Sequence, residues 1–188
     1  MKHKLSYNAP VTLTFVLICL AALLLNRVTG GWANRELFSV YRCSLLDPLA
    51  YVRMIGHIFG HSGWSHLFNN VLMILLLGPG LEEKYGSRTL LVLILLTGVC
   101  IGLVQFVFFP GTALSGASGI VFMLIILSSF TSFRANEIPV TAILVFCLYV
   151  GQEIYNGIAL ADNVSQMAHI AGGIGGAVYG FALGRGKK

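Results

Sequence analysis

The chain has 188 residues, of which 56% are hydrophobic and only 10% are charged, and its formal net charge is +5. This composition is typical of a membrane protein and excludes a soluble domain built around one hydrophobic core. The basic excess does not indicate nucleic-acid binding, because no basic patch is interleaved with aromatic side chains. We therefore expect an all-α polytopic membrane protein that forms a single domain over residues 1–188.

Six apolar runs approach the roughly 20 residues that a helix needs to cross a bilayer. They predict spans at residues 9–25, 64–81, 90–109, 117–133, 138–154 and 168–183. With the N-terminus inside, every lysine falls on the cytoplasmic side, as basic residues prefer. The sequence thus predicts an integral multi-pass protein in the lipid bilayer with both termini cytoplasmic. Three of the four cysteines lie in the spans, and we expect them to be buried as small hydrophobic side chains.

The segment from Arg27 to Gly63 is too long for a simple connection between two spans. It alternates apolar residues with aromatic ones, which favour the membrane interface. We predict short amphipathic helices lying in the outer interface, with a turn at Asp47-Pro48.

A histidine-dense stretch follows, with His57, His61 and His66 and then Asn70. A metal site is disfavoured, because no carboxylate stands in ligand register with these histidines, and we expect no metal or other cofactor. His66 and Asn70 are four residues apart and share one helix face. They act either as polar contacts between helices or as donors aimed at developing negative charge.

The second span is expected to end at Gly78-Pro79-Gly80, in a turn on the cytoplasmic side. Glu82, just after it, either ties the inner helix ends together or is a solvated charge. After the third span, residues 110–115 form an uncharged loop that we expect to dip into the membrane.

Ser118 lies in Gly116-Ala117-Ser118-Gly119, on the first turn of the fourth predicted span. Flanking glycines let other backbone approach, and helix-start amides can donate hydrogen bonds to an anion. On its own the motif is weak, because small residues also serve helix packing in membranes. Phe122 is predicted one turn below the serine on the same face.

The last span contains glycines four residues apart, which predicts a stripe that permits close helix contact. The stripe is Gly172, Gly176, Gly180 and Gly184, and His169 stands just before it. Spans two, four and six all begin on the outer side, so His66, Asn70, Ser118 and His169 lie within roughly 10 Å of the outer helix ends. We therefore predict a Ser–His dyad; Glu153 and Asp162 are further carboxylates, but nothing in the sequence places them beside His169.

The four motifs together closely resemble the rhomboid intramembrane serine proteases, in the minimal six-span bacterial-type form. The motifs are His61-x4-His66-x3-Asn70, Glu82-x3-Gly86, Gly116-x-Ser118-Gly119 and Ala168-His169-x2-Gly172-x3-Gly176. The resemblance implies a six-transmembrane-helix bundle with a long interfacial first loop, in a bacterial plasma membrane.

By this resemblance Ser118 is the nucleophile and His169 the general base. The oxyanion hole would comprise His66, Asn70 and the backbone amide of Ser118, beside Gly116. The remaining matched positions imply structural support, with His61 bracing the first loop; the others are Glu82, Phe122, Gly172 and Gly176. The chain departs from the family pattern at two of the positions with a supporting role. Val52 precedes Arg53 where many members carry tryptophan, and Phe122 stands where tyrosine is frequent.

The resemblance implies an endopeptidase that cleaves transmembrane segments of membrane proteins. One alternative is a non-catalytic rhomboid-like protein that binds transmembrane helices, although such relatives lack the serine or histidine retained in this chain. A transporter is a second alternative, but it would predict an internal repeat, and none is convincing.

Overall fold

The computed structural model of the chain describes residues 6–131, 139–160 and 163–184. For residues 149–150, 152–154, 156–160 and 163–165 it describes the backbone alone. The predicted inner connection around Arg134 and the acidic residue Asp162 lie outside the described residues, as does the side chain of Glu153.

The described part of the chain is helical, which confirms the expected all-α class. In chain order the helices are α1 Pro10–Val28, α2 Trp32–Glu36, α3 Leu49–Gly56, α4 Trp64–Tyr85, α5 Ser87–Phe108, α6 Ser118–Ser128, α7 Val140–Leu160 and α8 Asn163–Gly184, with a 3-10 turn at His57–Phe59. Among the described residues, four helical segments are long and apolar enough to cross a bilayer: Pro10–Val28, Trp64–Tyr85, Ser87–Phe108 and Gln166–Gly184.

Helix α6 lies at the centre of the bundle and contacts α4, α5, α7 and α8. It has only 11 residues, which corresponds to about 16 Å at 1.5 Å per residue. Eight of them are buried, from Gly119 to Leu127 with Phe122 excepted. Their burial shows that neighbouring helices cover α6 on nearly every side, so α6 forms the core around which the longer helices pack.

Helix α4 does not end at Gly78-Pro79-Gly80 as the sequence suggested; it continues to Tyr85. The turn falls one residue later, at Gly86, whose φ of +85° suits glycine. Gly78 has a different role, because a Cβ there would lie 2.6 Å from Cγ2 of Thr12. It allows α1 to pack closely on α4 rather than bending the chain.

Two other expectations are corrected. The sequence predicts that the fifth span ends at residue 154 and the sixth begins at residue 168, but α7 runs to Leu160 and α8 begins at Asn163, so His169 lies in the second turn of α8. Among the cysteines in the spans, Cys19 is buried, whereas Cys100 and Cys147 are exposed on the helix surfaces. Their thiols face the surroundings of the bundle, because they fall on the outer sides of α5 and α7.

Arg53 organises the first loop, which contains the expected short helices α2 and α3. Its side chain is only 1% exposed, and its guanidinium donates to the carboxylate of Asp47, the carbonyl of Glu36 at 3.2 Å and Sγ of Cys43 at 3.4 Å. The same guanidinium lies 4.7 Å from the ring centroid of Tyr41. A buried charge needs such partners, so the fold of the first loop depends on this one side chain.

Candidate active site

Helix α8 packs backbone to backbone against α6, along the predicted glycine stripe. A Cβ on Gly172 would lie 2.0 Å from the carbonyl oxygen of Gly119, and one on Gly176 would lie 2.5 Å from that of Met123. Real Cβ atoms do not approach so closely, so these positions require glycine. The two backbones can therefore bring side chains at the start of α6 within reach of side chains on α8.

The ring of Phe122 stacks on the imidazole of His169, with centroids 4.3 Å apart and planes 4° from parallel. Phe122 is one turn beyond Ser118, which begins α6. The neighbours of the two residues are also in contact: Ala168 precedes His169 and Gly119 follows Ser118, and a Cβ on Gly119 would be 3.1 Å from the carbonyl oxygen of Ala168. The structure thus brings His169 to the first turn of α6, where Ser118 lies.

Gly116 adopts a backbone conformation that favours glycine, with φ of +140°. A Cβ there would lie 2.9 Å from Cε1 and 3.0 Å from Nε2 of His66. The imidazole of His66 therefore lies directly against the loop that precedes Ser118. Nε2 of His66 is therefore close to the backbone that leads into Ser118.

His66 and Asn70 lie on one face of α4, as the four-residue spacing predicted. Nδ1 of His66 is 3.2 Å from Oγ of Ser62. Nδ2 of the buried Asn70 donates to the carbonyl oxygen of His66 at 3.0 Å. An amide nitrogen has two hydrogens, so Asn70 retains one donor for another acceptor.

His61 is fully buried beneath His66, and the two rings meet edge to face with centroids 4.9 Å apart. Nδ1 of His61 donates to the carbonyl oxygen of Phe59 at 3.0 Å, and Asn34 donates to the carbonyl oxygen of His61 at 3.3 Å. Burial, with a smaller contribution from His66, lowers the pKa of His61 to about 4. His61 is therefore neutral at physiological pH and links α2 to the floor of the site.

The loop before Ser118 is hydrogen-bonded to the first loop, an arrangement that sequence reasoning missed. Val40 and Leu114 exchange two backbone hydrogen bonds of 2.9 Å, and the N–H of Gly116 donates to the carbonyl oxygen of His57 at 2.9 Å. No local pattern indicates this pairing, because the partners are far apart in sequence and none of them lies in a regular strand. The first loop consequently holds the backbone on which the serine depends.

Glu82 lies at the opposite end of the bundle from Ser118, and the structure favours the first of its two interpretations. Its carboxylate accepts hydrogen bonds from the N–H groups of Val11 and Thr12, each 2.9 Å, and from Oγ1 of Thr12 at 2.8 Å. These are free amides at the start of α1, which a carboxylate satisfies well. Glu82 therefore ties α4 to α1 and has no part in the site.

A family model described as the Rhomboid domain matches residues 48–186, which confirms the resemblance stated above. The chain is 30% identical over 187 residues to Rhomboid protease GluP of Bacillus subtilis, covering 94% of this chain and 36% of that protein. It is 29% identical over 182 residues to Rhomboid protease GlpG of Yersinia pestis, covering 94% of this chain and 63% of that protein. The chain thus spans less than two thirds of the length of these relatives.

Proposed function

This chain belongs to the rhomboid family, and from that premise we propose that it is an intramembrane serine endopeptidase acting on transmembrane segments of membrane proteins. We further propose six spans, comprising α1, α4, α5, α6, α7 and α8. Helix α6 starts below the bilayer surface because it is short, and both termini are cytoplasmic. The beginnings of α4, α6 and α8 then share the outer side of a bacterial plasma membrane.

The observation that carries the proposal is the stack of Phe122 on His169, one turn beyond Ser118 on α6. It fixes the plane of the imidazole beside the helix start that carries Ser118. A base must be oriented as well as near, and in this site an aromatic ring takes the orienting role that a carboxylate has in the Ser-His-Asp triad.

In the proposed mechanism, Oγ of Ser118 attacks the scissile carbonyl carbon while His169 accepts the hydroxyl proton. The oxyanion receives hydrogen bonds from Nε2 of His66, from Nδ2 of Asn70 and from the N–H of Ser118. His169 then gives its proton to the leaving amine, which departs as the new N-terminus. A water molecule, deprotonated by His169, hydrolyses the acyl-enzyme and regenerates the serine.

The decisive test uses a fluorophosphonate probe, which labels an activated serine and requires no knowledge of the natural substrate. We expect the wild-type protein to be labelled and Ser118→Ala and His169→Ala to remain unlabelled, although both variants insert and melt normally. Cleavage of a helical reporter should disappear in the same two variants. A wild type that is folded but neither labels nor cleaves would favour the alternative, a non-catalytic protein that binds transmembrane helices.

A further inference from the structure

Gln166 carries a buried acceptor that the proposed mechanism does not use. The residue is 9% exposed and precedes His169 by three positions on α8. Within the described part of the chain, its Oε1 atom is buried and receives no hydrogen bond. Buried polar atoms are nearly always paired, so an amide oxygen left unpaired in this place calls for an explanation.

The helix geometry of α8 places Gln166 on the side of the site. Gly172, Gly176 and His169 mark the face that packs on α6. At about 100° per residue, Gln166 falls roughly 60° from His169 around the helix, adjoining that face. It is also about 4.5 Å nearer the beginning of the helix than His169, at 1.5 Å per residue. Gln166 is therefore level with the loop that leads into Ser118.

Different helices pack on the two sides of the α8 face that contacts α6. On one side Ala168 packs with Ile101 of α5. On the other side Ala177 and Phe181 pack with residues of α7. Gln166 lies toward the second flank, so its side chain projects at the margin between α6 and α7 rather than into the closed contact with α5.

We propose that Gln166 is a substrate-binding residue, whose side-chain oxygen accepts a backbone N–H of the extended peptide segment beside the scissile bond. The proposal rests on the proposed protease function, and it makes the side-chain oxygen of Gln166 the hydrogen-bond partner of one backbone N–H of the substrate.

The chemistry of the site supplies the reason. A transmembrane segment that unwinds for cleavage loses its internal hydrogen bonds, and each freed N–H and carbonyl needs a partner in surroundings that contain little water. The proposed oxyanion groups, on His66, Asn70 and Ser118, are all donors and can pair only with carbonyl oxygens. Gln166 offers the complementary acceptor, and an amide oxygen pairs with a peptide N–H in the same manner as a neighbouring strand does.

The first test compares Gln166→Met with Thr97→Val, using a synthetic transmembrane peptide that the wild type cleaves. Thr97 is the matched control, because its Oγ1 is also buried and unpaired within the described residues but lies at the contact of α5 with Gly175. We expect Gln166→Met to raise KM about 3- to 10-fold, as loss of one hydrogen bond does. Its kcat and fluorophosphonate labelling should be unchanged, and Thr97→Val should match the wild type in all three.

The second test replaces the peptide N–H groups flanking the scissile bond with ester oxygens, one at a time, leaving the scissile amide intact. One replacement should raise KM for the wild type and have no further effect on Gln166→Met. An unchanged KM in Gln166→Met, or a shift in its kcat–pH profile, would overturn the proposal, the latter because Gln166 would then act through His169. If Gln166→Met does not fold, the wild-type protein alone provides the test. A wild-type KM that is unchanged by every ester replacement also overturns the proposal. A folded wild type that is not labelled by fluorophosphonate and cleaves no helical peptide refutes the protease function itself, and with it the premise of this proposal.

Discussion

At the scale of single residues, the contact between Phe122 and His169 determines how the proposed base is held. The rings are nearly parallel and 4.3 Å apart, so Phe122 limits rotation of the imidazole without donating or accepting a hydrogen bond. The phenolic hydroxyl found in many members of the family is not needed for this contact. Phe122 can therefore support the base by its ring face alone.

We predict that Phe122→Leu lowers kcat about 2- to 10-fold, because an aromatic contact of this kind contributes about 0.5–1.5 kcal/mol. Phe122→Tyr should retain wild-type turnover, since it preserves the ring. Steady-state cleavage of a reporter by the two purified variants checks this. Equal activity in Phe122→Leu and the wild type would show that the stack does not orient His169.

Substitution of Asn70 distinguishes a catalytic role of this side chain from a role in helix packing. If its free amide hydrogen binds the oxyanion, the benefit appears in the transition state. Asn70→Ala should then lower kcat by about 10²–10³ with little change in KM, as loss of an oxyanion donor does elsewhere. His66→Ala should lower kcat similarly but also reduce the melting temperature, because its ring packs on His61 and Gly116.

The opposite outcome for His66→Ala and Asn70→Ala would identify a packing role. If both variants melt at lower temperature while turnover per folded molecule is retained, His66 and Asn70 are packing residues. Measuring kcat and the melting temperature on the same purified samples separates the two roles.

Sequence reasoning identified the residues that carry recognisable motifs, and the structure brings His66, Gly116, Phe122 and His169 around the start of α6. It missed Arg53 as the organiser of the first loop and Gln166 as an acceptor that has no hydrogen bond among the described residues. Both depend on burial and on distant partners, which motif spacing does not encode. In the sequence Arg53 is one of several arginines of the first loop, and only the fold surrounds it with Asp47, Glu36 and Tyr41.

At the scale of helices, the contact of α8 with α6 leaves no room for a side chain at Gly172. We predict that Gly172→Ala destabilises the protein by about 1–3 kcal/mol and reduces activity in parallel, because its methyl group would collide with the carbonyl oxygen of Gly119. The matched control is Gly80→Ala, since a Cβ at Gly80 has no described atom within 4 Å. It lies inside α4 and should leave the stability equal or slightly higher.

Unfolding in detergent, followed by intrinsic fluorescence, measures both variants alongside a cleavage assay. A Gly172→Ala protein with unchanged melting temperature and turnover would show that α8 can move away from α6 without consequence for the site.

The differences between predicted and observed helices have physical causes. Glycine and proline at residues 78–80 predict a turn, yet α4 continues through them. Two contacts with α1 favour the longer helix, because Gly78 lets α1 pack closely and the carboxylate of Glu82 caps the start of α1. The predicted fifth and sixth spans end at residue 154 and begin at residue 168, yet α7 runs to Leu160 and α8 already begins at Asn163. Tertiary packing overrides local propensity at such positions, and a single sequence contains little information about it.

At the scale of the whole molecule, the buried first-loop histidines make stability depend on pH. Burial lowers the pKa of His57 and of His61 to about 4, below the ordinary value of 6.5. The unfolded chain therefore takes up protons below pH 6.5 that the folded chain does not take up until about pH 4. Their contribution to stability is complete above pH 6.5 and is lost as the pH falls toward 4.

We predict that the melting temperature is flat above pH 6.5 and declines between pH 6.5 and 4, with each histidine contributing on the order of 1 kcal/mol per pH unit. His61→Gln should make the decline shallower whatever its effect on stability at neutral pH. A melting curve series from pH 8 to 4 on both proteins provides the measurement, and parallel declines would exclude His61 as a source of the pH dependence.

The hydrogen bonds that join the loop before Ser118 to the first loop have a consequence for exchanging parts between relatives. Leu114 pairs with Val40, and Gly116 donates to the carbonyl of His57, so each loop supplies backbone partners to the other. A chimera that receives residues 109–117 from another member, while keeping its own residues 38–60, joins two surfaces that were never matched. Transplanted together, the two segments should behave as one cassette, and a graft of either alone should lose activity even when every motif residue is retained.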